Sequence, residues 1–431
     1  MKKIISLIIV CTIIISGMFI YGKSDKKDLL EDNNGPIIAA VIDGKASTTF
    51  PTTNKYTATV ECTRNGIKQD VGAKATWNGT KWVVSFNDIS AGNVRCNATF
   101  ITKVPTFSET ILANNEVKTP ITTPGAAIST ASEALLASTE DDYGTSYYFR
   151  GAVTNNYVEF ANKCWRIVRV GGDGSVKLIL HNDNPTGAAN PCDAANNSAS
   201  AAFAHYNGST YTSRFNENYD DNAYIGFKYG TPGSSKYETT HANTNKSTIL
   251  TNLETWYTNN LKTYESVIDD TVWCNDKTNV TDTSYDPWSI TPNGLGYAKN
   301  VTYYGATKRL VGTSGSAGGT GPSLKCNGEL SKINSKVGLI TADELAYAGY
   351  AYAKNNTTTY LQENATDTYW WSLSPIYFDG GRAGVWNVDG SSGYFVRSSV
   401  YNTYGVRPSI SLKSTTNVTG DGTSEKPYIV N

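Results

Sequence analysis

The stretch Tyr369-Trp-Trp-Ser-Leu-Ser-Pro375, followed by Gly405-Val-Arg-Pro-Ser-Ile-Ser-Leu412, says most about the fold. Both segments contain the aromatic and β-branched residues that favour strands. Between them, Gly384-Val-Trp-Asn-Val388 and Gly393-Tyr-Phe-Val-Arg397 have the same character and are separated by Gly, Ser and Asp turns. The C-terminal part of the chain is therefore predicted to consist of strands and turns.

Further strands are predicted upstream, in a large unit that begins near residue 139. Asn156–Phe160, Cys164–Val170 and Val176–Leu180 have strand character, and a glycine-rich turn joins the last two. A first helix is predicted over about 247 to 263. Apolar residues recur there at helical spacing: Ile249, Leu253, Trp256, Tyr257 and Leu261.

A second helix is predicted to begin at Thr341-Ala-Asp-Glu344, which fits the capping-box pattern, after a strand over Val337–Ile340. Ahead of the large unit, residues 37–104 are predicted to form a small Ig-like β-domain. Its signal is Trp77-Asn-Gly-Thr-Lys-Trp82, where an Asn-Gly turn separates two tryptophans in the manner of a hairpin. Residues 105–138 are expected to be a linker, and residues 414–431 a polar C-terminal tail.

The composition favours an extracellular β-rich protein. Charged residues make up 17% of the chain, and 28 Tyr and 9 Trp are present. The charged share lies below the roughly 25% of a soluble domain, while tyrosine supplies contact area at little entropic cost. The formal net charge of −1 offers no basic field for phosphate, which argues against a nucleic-acid partner.

The N-terminus predicts export. Lys2 and Lys3 precede the uncharged segment 4–22, which is just long enough to span a bilayer as a helix. Residues 1–22 are therefore interpreted as a signal anchor that tethers the chain to the outer face of the plasma membrane, with 23–36 as a spacer. A cleaved signal peptide, which would leave a secreted protein, stays open as the alternative.

The cysteine count agrees with export. Cys11 lies in the apolar segment, and the other six cysteines permit three disulfides. Paired in sequence order, they would join Cys62 to Cys96, Cys164 to Cys192 and Cys274 to Cys326. Spacing alone does not fix this connectivity, although the first pair falls within a segment of its own.

Catalytic and cofactor motifs are largely missing. The three histidines, His181, His205 and His241, lack zinc-hydrolase spacing, and no nucleophile elbow or phosphate loop is present. We therefore expect no enzymatic activity and no cofactor. Calcium stays open, because flexible oxygen-rich loops can bind it; the best candidates are Asp220-Asp-Asn222 and Asn182-Asp-Asn184.

The two C-terminal segments quoted at the outset resemble the closing signature of C-type-lectin-like domains. The likeness is to the bacterial branch that includes formylglycine-generating-enzyme-like proteins and retroelement-diversified variable proteins. More narrowly, the chain resembles uncharacterised surface proteins of gut Gram-positive bacteria. The supporting motifs span about 139–431: Asp141-Asp-Tyr-Gly-Thr-Ser-Tyr-Tyr-Phe-Arg-Gly151, Trp165-Arg-Ile-Val-Arg169, Trp273-Cys-Asn-Asp276 and Gly338-Leu-Ile-Thr-Ala-Asp-Glu344.

The resemblance implies a mainly β chain with an α+β C-terminal domain over 139–413. In such a domain the first and last strands pair, two helices flank a sheet and long loops carry recognition. The enzyme relatives use a paired-cysteine copper site, which has no counterpart in the C-terminal half of this chain. The catalytic role is therefore not carried over, and fold alone would not justify it.

By the same resemblance, residues 376–404 would carry the ligand site, and their Tyr, Trp, Arg, Ser and Asn content is typical of paratopes. The candidate ligand-binding residues are Tyr377, Asp379, Arg382, Trp386, Tyr394, Arg397, Tyr401, Asn402 and Tyr404. The alternative for each aromatic residue is a place in the core of the sheet. The expected function is adhesion or reception at the cell surface, with an extracellular carbohydrate or protein as ligand; an extracellular enzyme of the same fold and a structural envelope protein are the alternatives.

Overall fold

The computed structural model describes residues 37–87, 94–206 and 210–430. The predicted anchor and spacer, residues 1–36, lie outside the described residues. Among those described, no helix combines the length and the apolar character needed to cross a bilayer. The chain divides into two compact units, Met1–Val104 and Pro105–Asn431.

The first unit is built from strands alone over its described part. They are β1 (Ile37–Ile42), β2 (Lys45–Ser47), β3 (Tyr56–Arg64), β4 (Ile67–Gln69), β5 (Lys74–Trp77), β6 (Trp82–Ser85) and β7 (Arg95–Thr102). One sheet has the order β2-β1-β7-β3-β4, and the hairpin β5-β6 packs Trp82 against its core residue Phe100. The predicted hairpin is confirmed, with Trp77 and Trp82 as opposite partners.

The second unit is mainly β as well. Its early strands are β8 (Ala134–Asp141), β9 (Gly144–Gly151), β10 (Tyr157–Phe160), β11 (Lys163–Val170), β12 (Val176–Asn182), β13 (Thr212–Arg214), β14 (Lys228–Tyr229), β15 (Asn245–Lys246) and β16 (Thr271–Cys274). Its late strands are β17 (Thr302–Tyr303), β18 (Lys332–Ser335), β19 (Trp370–Phe378), β20 (Ala383–Val388), β21 (Phe395–Ser399), β22 (Thr403–Gly405), β23 (Ser409–Leu412), β24 (Val418–Thr419) and β25 (Tyr428–Val430).

Two sheets organise this unit. The larger has the order β23-β12-β11-β10-β25-β24, and β9 joins it to β8 by pairing with β11. Late strands thus pair with early ones, at β12–β23 and β10–β25. Strands β11 and β12 are buried along almost their whole length, and their charged side chains Arg166, Arg169 and Lys177 are each paired with a carboxylate. The second sheet has the order β13-β22-β19-β20-β21, with β17 beside β19.

Five α-helices lie in the described residues, where two were expected. They are α1 (Phe107–Asn114), α2 (Tyr237–Thr240), α3 (Thr248–Asn260), α4 (Gly305–Leu310) and α5 (Ala342–Ala348). The predictions of α3 and of the start of α5 are confirmed, including the capping box between Thr341 and Glu344. The strand predicted over Val337–Ile340 is wrong, because this segment makes only an isolated bridge, from Gly338 to Ser409.

The expected linker over 105–138 is corrected by α1. Phe107 and Ile111 are one helical turn apart and are both buried in the main core, so this segment belongs to the second unit. The expected polar tail is corrected in the same way. Tyr428 is fully buried on β25, and its ring lies 5.2 Å from that of Phe107.

Helix α1 depends on its N-terminal cap. Thr106 Oγ1 accepts from Glu109 N at 3.3 Å, and Glu109 Oε2 accepts from Thr106 N at 2.9 Å. Replacing Thr106 by alanine is expected to lower the free energy of unfolding by about 1 kcal/mol, because the helix loses this cap. Urea unfolding followed by tryptophan fluorescence measures the effect, and an unchanged midpoint would contradict it. Thr110→Ala is the matched control, since its hydroxyl only bonds back to the Thr106 carbonyl.

All three disulfides predicted in sequence order are present. Cys62–Cys96 joins directly opposite residues of β3 and β7. Cys164–Cys192 ties β11 to the loop that follows β12, and Cys274–Cys326 ties β16 to the loop before β18. Each closes a loop of the chain and restricts its unfolded state, as is typical of exported proteins.

Candidate functional site

The nine predicted ligand-binding residues lie on or beside β19 to β22, but they do not form one surface. Strand β20 pairs with β21 so that Trp386 lies opposite Arg397, and Val385 lies opposite Ser398. Adjacent residues of a strand point to opposite sides of the sheet. The nine residues are therefore divided between two faces and the connecting turns.

Trp386 is a core residue, which corrects its predicted role. Its side chain is fully buried, stacked on Phe395 at 4.6 Å between ring centroids and edge-on to Tyr352 at 5.6 Å. A ligand outside the fold cannot reach it. Trp386 therefore lies in the core of the sheet, which is the alternative given above for each aromatic residue.

Arg397 and Tyr377 belong to a half-buried cluster on the Trp386 side of the sheet. The Arg397 guanidinium lies 4.2 Å from the ring of Trp288 and 5.7 Å from that of Tyr377, and it donates to the Tyr352 hydroxyl at 2.6 Å. Cation–π and hydrogen-bond contacts thus engage this charge within the protein. The cluster holds these side chains against the sheet, so little of the Arg397 guanidinium is available to a ligand.

The turn between β19 and β20 and the turn before β21 hold three more of the nine. Asp379 Oδ1 accepts from the backbone N–H groups of Gly381 and Arg382, at 3.0 and 2.7 Å, so its carboxylate shapes the turn. Arg382 is exposed, and Tyr394 is half-buried. Of these three residues, only Arg382 is exposed.

A contiguous row of exposed and half-buried side chains runs along β13, β22 and their neighbouring turns. We call it the tyrosine strip, and it consists of Arg214, Tyr219, Tyr369, Tyr401, Asn402 and Tyr404. Tyr219 is 38% exposed and Tyr401 is 42% exposed, and their ring centroids are 5.1 Å apart. The Arg214 guanidinium lies 3.7 Å above the Tyr401 ring.

The other end of the strip is anchored on the sheet. Tyr404 stacks on Tyr369 at 5.0 Å and packs over the buried Trp371 at 4.7 Å. Its hydroxyl accepts from Asn402 Nδ2 at 2.9 Å and lies 3.1 Å from Ser398 Oγ. These contacts hold the aromatic side chains in fixed positions, so binding would cost little rotamer entropy.

Three members of the strip, Tyr401, Asn402 and Tyr404, are among the residues predicted from the sequence. Arg214, Tyr219 and Tyr369 were not predicted. Arg214 reaches the strip because β13 pairs with β22, and this long-range pairing has no local sequence signal. Tyr219 lies in a polar segment without hydrophobic period, where only its exposed aromatic ring distinguishes it.

The motifs behind the family resemblance meet at a second place, a cluster of buried charges between β8, β11, β12 and α5. Arg169 Nη1 lies 3.0 Å from Asp141 Oδ2, and its Nε lies 2.9 Å from Glu344 Oε1. Lys177 Nζ lies 2.7 Å from the same Glu344 oxygen. Burial would raise the pKa of Glu344, but the two cations outweigh it and hold this pKa at about 2.

A neighbouring cluster completes this place. Arg309 makes a bidentate pair with Asp343, at 2.7 Å from each nitrogen, and its Nη1 lies 2.5 Å from Asp276 Oδ2. Burial opposes the charge on Arg309, yet the two carboxylates raise its pKa above the ordinary value. From the sequence, Asp343-Glu344 was predicted to be part of a helix cap. The cap is present, but its charged partners Arg169, Lys177 and Arg309 come from β11, β12 and α4 and were not predictable.

The cleft beside these clusters suits water better than a sugar. Its enclosed volume is about 40 Å³, whereas ligand pockets are typically about 300 to 1,000 Å³. Each carboxylate of the clusters is held by an arginine or lysine. The clusters are therefore assigned to the fold, joining the elements that surround them.

Neither calcium candidate has the geometry of a cation site. Asp183 pairs with Lys163 Nζ at 2.8 Å, and Asp221 accepts from Ala223 N and Gly233 N. Asn222 turns its Nδ2 donor group toward three carbonyl oxygens. Over the described ranges, no group of three or more His, Cys, Asp or Glu residues is arranged to hold a metal ion.

Comparison with known proteins identifies one family. A model described as a domain of unknown function, DUF6273, matches residues 312–414, which is less than half of the chain. No curated protein and no solved structure matches. The matched segment includes α5, β19 to β23 and three tyrosines of the strip, but the description carries no activity.

Proposed function

We propose that this protein binds an extracellular protein or carbohydrate at the cell surface through its tyrosine strip. The observation that carries the proposal is the exposed pair Tyr219 and Tyr401, with Arg214 stacked above Tyr401. Exposed, pre-positioned Tyr and Arg side chains are the residues that dominate binding energy at interfaces. Asn402 and Arg382 would add hydrogen bonds at the edge.

Export and surface display are part of the proposal. The uncharged segment 4–22 would direct the chain out of the cell and tether it. Three disulfides in the described residues support an oxidising environment. In this arrangement the β-rich first unit acts as a spacer.

We further propose that the second unit is a C-type-lectin-like head. The pairing of late strands with early ones, at β12–β23 and β10–β25, supports this interpretation. So does the position of α3 and α5, which occupy the two helical segments that the resemblance requires. Helices α1, α2 and α4 would then be additions to that plan.

The test compares binding of the purified protein and of the double variant Tyr219→Ala/Tyr401→Ala to arrays of glycans and cell-surface proteins, with and without calcium. We expect selective binding by the wild type and a loss of about 10- to 100-fold in the variant, because interface tyrosines contribute about 1 to 3 kcal/mol. Interferometry on the selected ligand gives the two affinities.

Tyr264→Ala is the matched control. Tyr264 is 40% exposed, close to the two strip tyrosines, and packs on Phe160 of the larger sheet. The control should retain wild-type affinity. Equal losses in both variants, or wild-type binding by the double variant, would remove the strip as the site.

A further inference from the structure

Lys277 is fully buried, and its amino group faces neutral oxygens. Nζ lies 2.5 Å from Asn243 Oδ1, 2.8 Å from the His241 carbonyl oxygen and 3.2 Å from the Lys228 carbonyl oxygen. The other buried lysines, Lys163 and Lys177, each contact a carboxylate. Among the buried lysines of the described residues, Lys277 therefore differs in having neutral oxygens instead of a carboxylate around its amino group.

This environment leaves much of Lys277 uncharged. Burial lowers the pKa of its amino group to about 7, so that roughly half of the molecules carry a free amine near neutral pH. A free amine has a lone pair and is a nucleophile, as in enzymes where a desolvated lysine reacts with a carbonyl carbon.

Asn243 presents a carbonyl carbon to that amine. A C=O bond is about 1.2 Å long, so Cγ lies within about 3.7 Å of Nζ, close to the 3–3.5 Å of a near-attack arrangement. The Asn243 backbone has φ 55°, and its Nδ2 donates to the Leu330 carbonyl at 2.9 Å, which holds the carboxamide in place. The residue is half-buried, which leaves the amide nitrogen a way to solvent.

His241 contributes its backbone carbonyl oxygen to this site and carries a neutral ring. Its Nε2 lies 2.7 Å from the Gly296 carbonyl oxygen, which can only accept, so Nε2 carries the proton and Nδ1 has a lone pair. Nδ1 is buried and has no hydrogen-bond partner among the described residues. Burial and the nearby Lys277 lower the pKa of His241 to about 3, which keeps the ring neutral.

We propose that Lys277 and Asn243 form an intramolecular amide cross-link. Nζ attacks Cγ and the Nζ–Cγ bond forms; the Cγ–Nδ2 bond breaks, and Nδ2 leaves as ammonia with one proton that originates on Nζ. That proton moves from the attacking Nζ to Nδ2 as the Cγ–Nδ2 bond breaks. Nothing is oxidised or reduced, and no further reactant is needed. The cross-link would join the turn after α2 to the segment after β16, in addition to the disulfides.

The test is peptide mapping of the full chain after denaturation, reduction and trypsin digestion. A modified Lys277 resists trypsin, so the expected product is Tyr237–Lys246 joined to Thr263–Lys299, lighter than the sum of the two peptides by one ammonia molecule. Fragmentation places the link at Asn243 and Lys277. Free peptides Tyr237–Lys246, Thr263–Lys277 and Thr278–Lys299, without the joined product, would overturn the proposal.

Variants separate the cross-link from other ammonia losses. Lys277→Arg keeps the positive charge but lacks the nucleophile, and Asn243→Ala lacks the acceptor, so neither should give the joined peptide or the ammonia loss. Lys163→Arg alters another buried lysine and should leave the cross-link intact. Loss of ammonia from Tyr237–Lys246 that persists in Lys277→Arg would identify a cyclised asparagine and sink the proposal.

Discussion

Replacing Arg150 by methionine is expected to lower the free energy of unfolding by about 3–5 kcal/mol, because it leaves Glu133 as an uncompensated buried charge. Both side chains are fully buried, with Arg150 Nε 3.0 Å from Glu133 Oε1. Arg150 Nη1 also donates to the Ala346 and Tyr347 carbonyls at the end of α5, and Glu133 accepts from Thr122 N and Oγ1. Through Arg150 on β9, the pair thus links the segment before β8 to the end of α5.

A double variant separates the charge from the packing. Arg150→Met/Glu133→Leu removes both charges and should recover much of the lost stability, since an apolar replacement of a buried pair is often close to neutral. Arg382→Met is the control, because Arg382 is exposed. Urea unfolding followed by tryptophan fluorescence gives the three values. A single variant as stable as the control, or a double variant less stable than the single, would contradict the assignment.

The Glu133–Arg150 pair also explains why the linker prediction failed. Residues 105–138 are rich in Thr, Ser, Pro and Ala and have no hydrophobic period, which is typical of a linker. The segment is ordered by contacts that its own sequence does not reveal. These are the buried ring of Phe107 against Tyr428 at the far end of the chain, and a carboxylate whose partner lies on β9.

Where signals were local, the sequence was a good guide. The capping box at Thr341, the Asn-Gly hairpin between Trp77 and Trp82, and the helical spacing around Trp256 each depend on residues within a few positions, and each is confirmed. The disulfide pairing in sequence order is confirmed as well.

The candidate site was only partly predictable for the opposite reason. Tyr401 and Tyr404 stood out by composition, but Arg214 reaches the strip only through the pairing of β13 with β22. Trp386 shows the same limit. Its sequence neighbours match those of Tyr401 in character, but Trp386 lies in the core on β20, whereas Tyr401 lies at the surface in the turn between β21 and β22.

Glu344→Gln is expected to remove about 3 kcal/mol of stability at neutral pH, and the difference from wild type should vanish near pH 2. In the folded protein the cations Lys177 and Arg169 outweigh burial and hold the Glu344 pKa at about 2, against an ordinary value of 4.5. The stabilisation is therefore complete above pH 4.5 and is lost as pH falls from 4.5 to 2. A shift of this size corresponds to about 3 kcal/mol.

Glutamine isolates the charge, because its side-chain oxygen can still accept from Thr341 N as Glu344 Oε2 does at 2.9 Å. Glu329→Gln, at a carboxylate that is 92% exposed, is the control for a surface charge and should follow the wild-type curve. Urea unfolding at a series of pH values from 7 to 2 measures both curves. A Glu344→Gln protein as stable as the wild type at every pH would show that another carboxylate carries the effect. If its deficit instead stays constant down to pH 2, the lost stability comes from packing or hydrogen bonding at this position, and the ion pair with Lys177 is not its source.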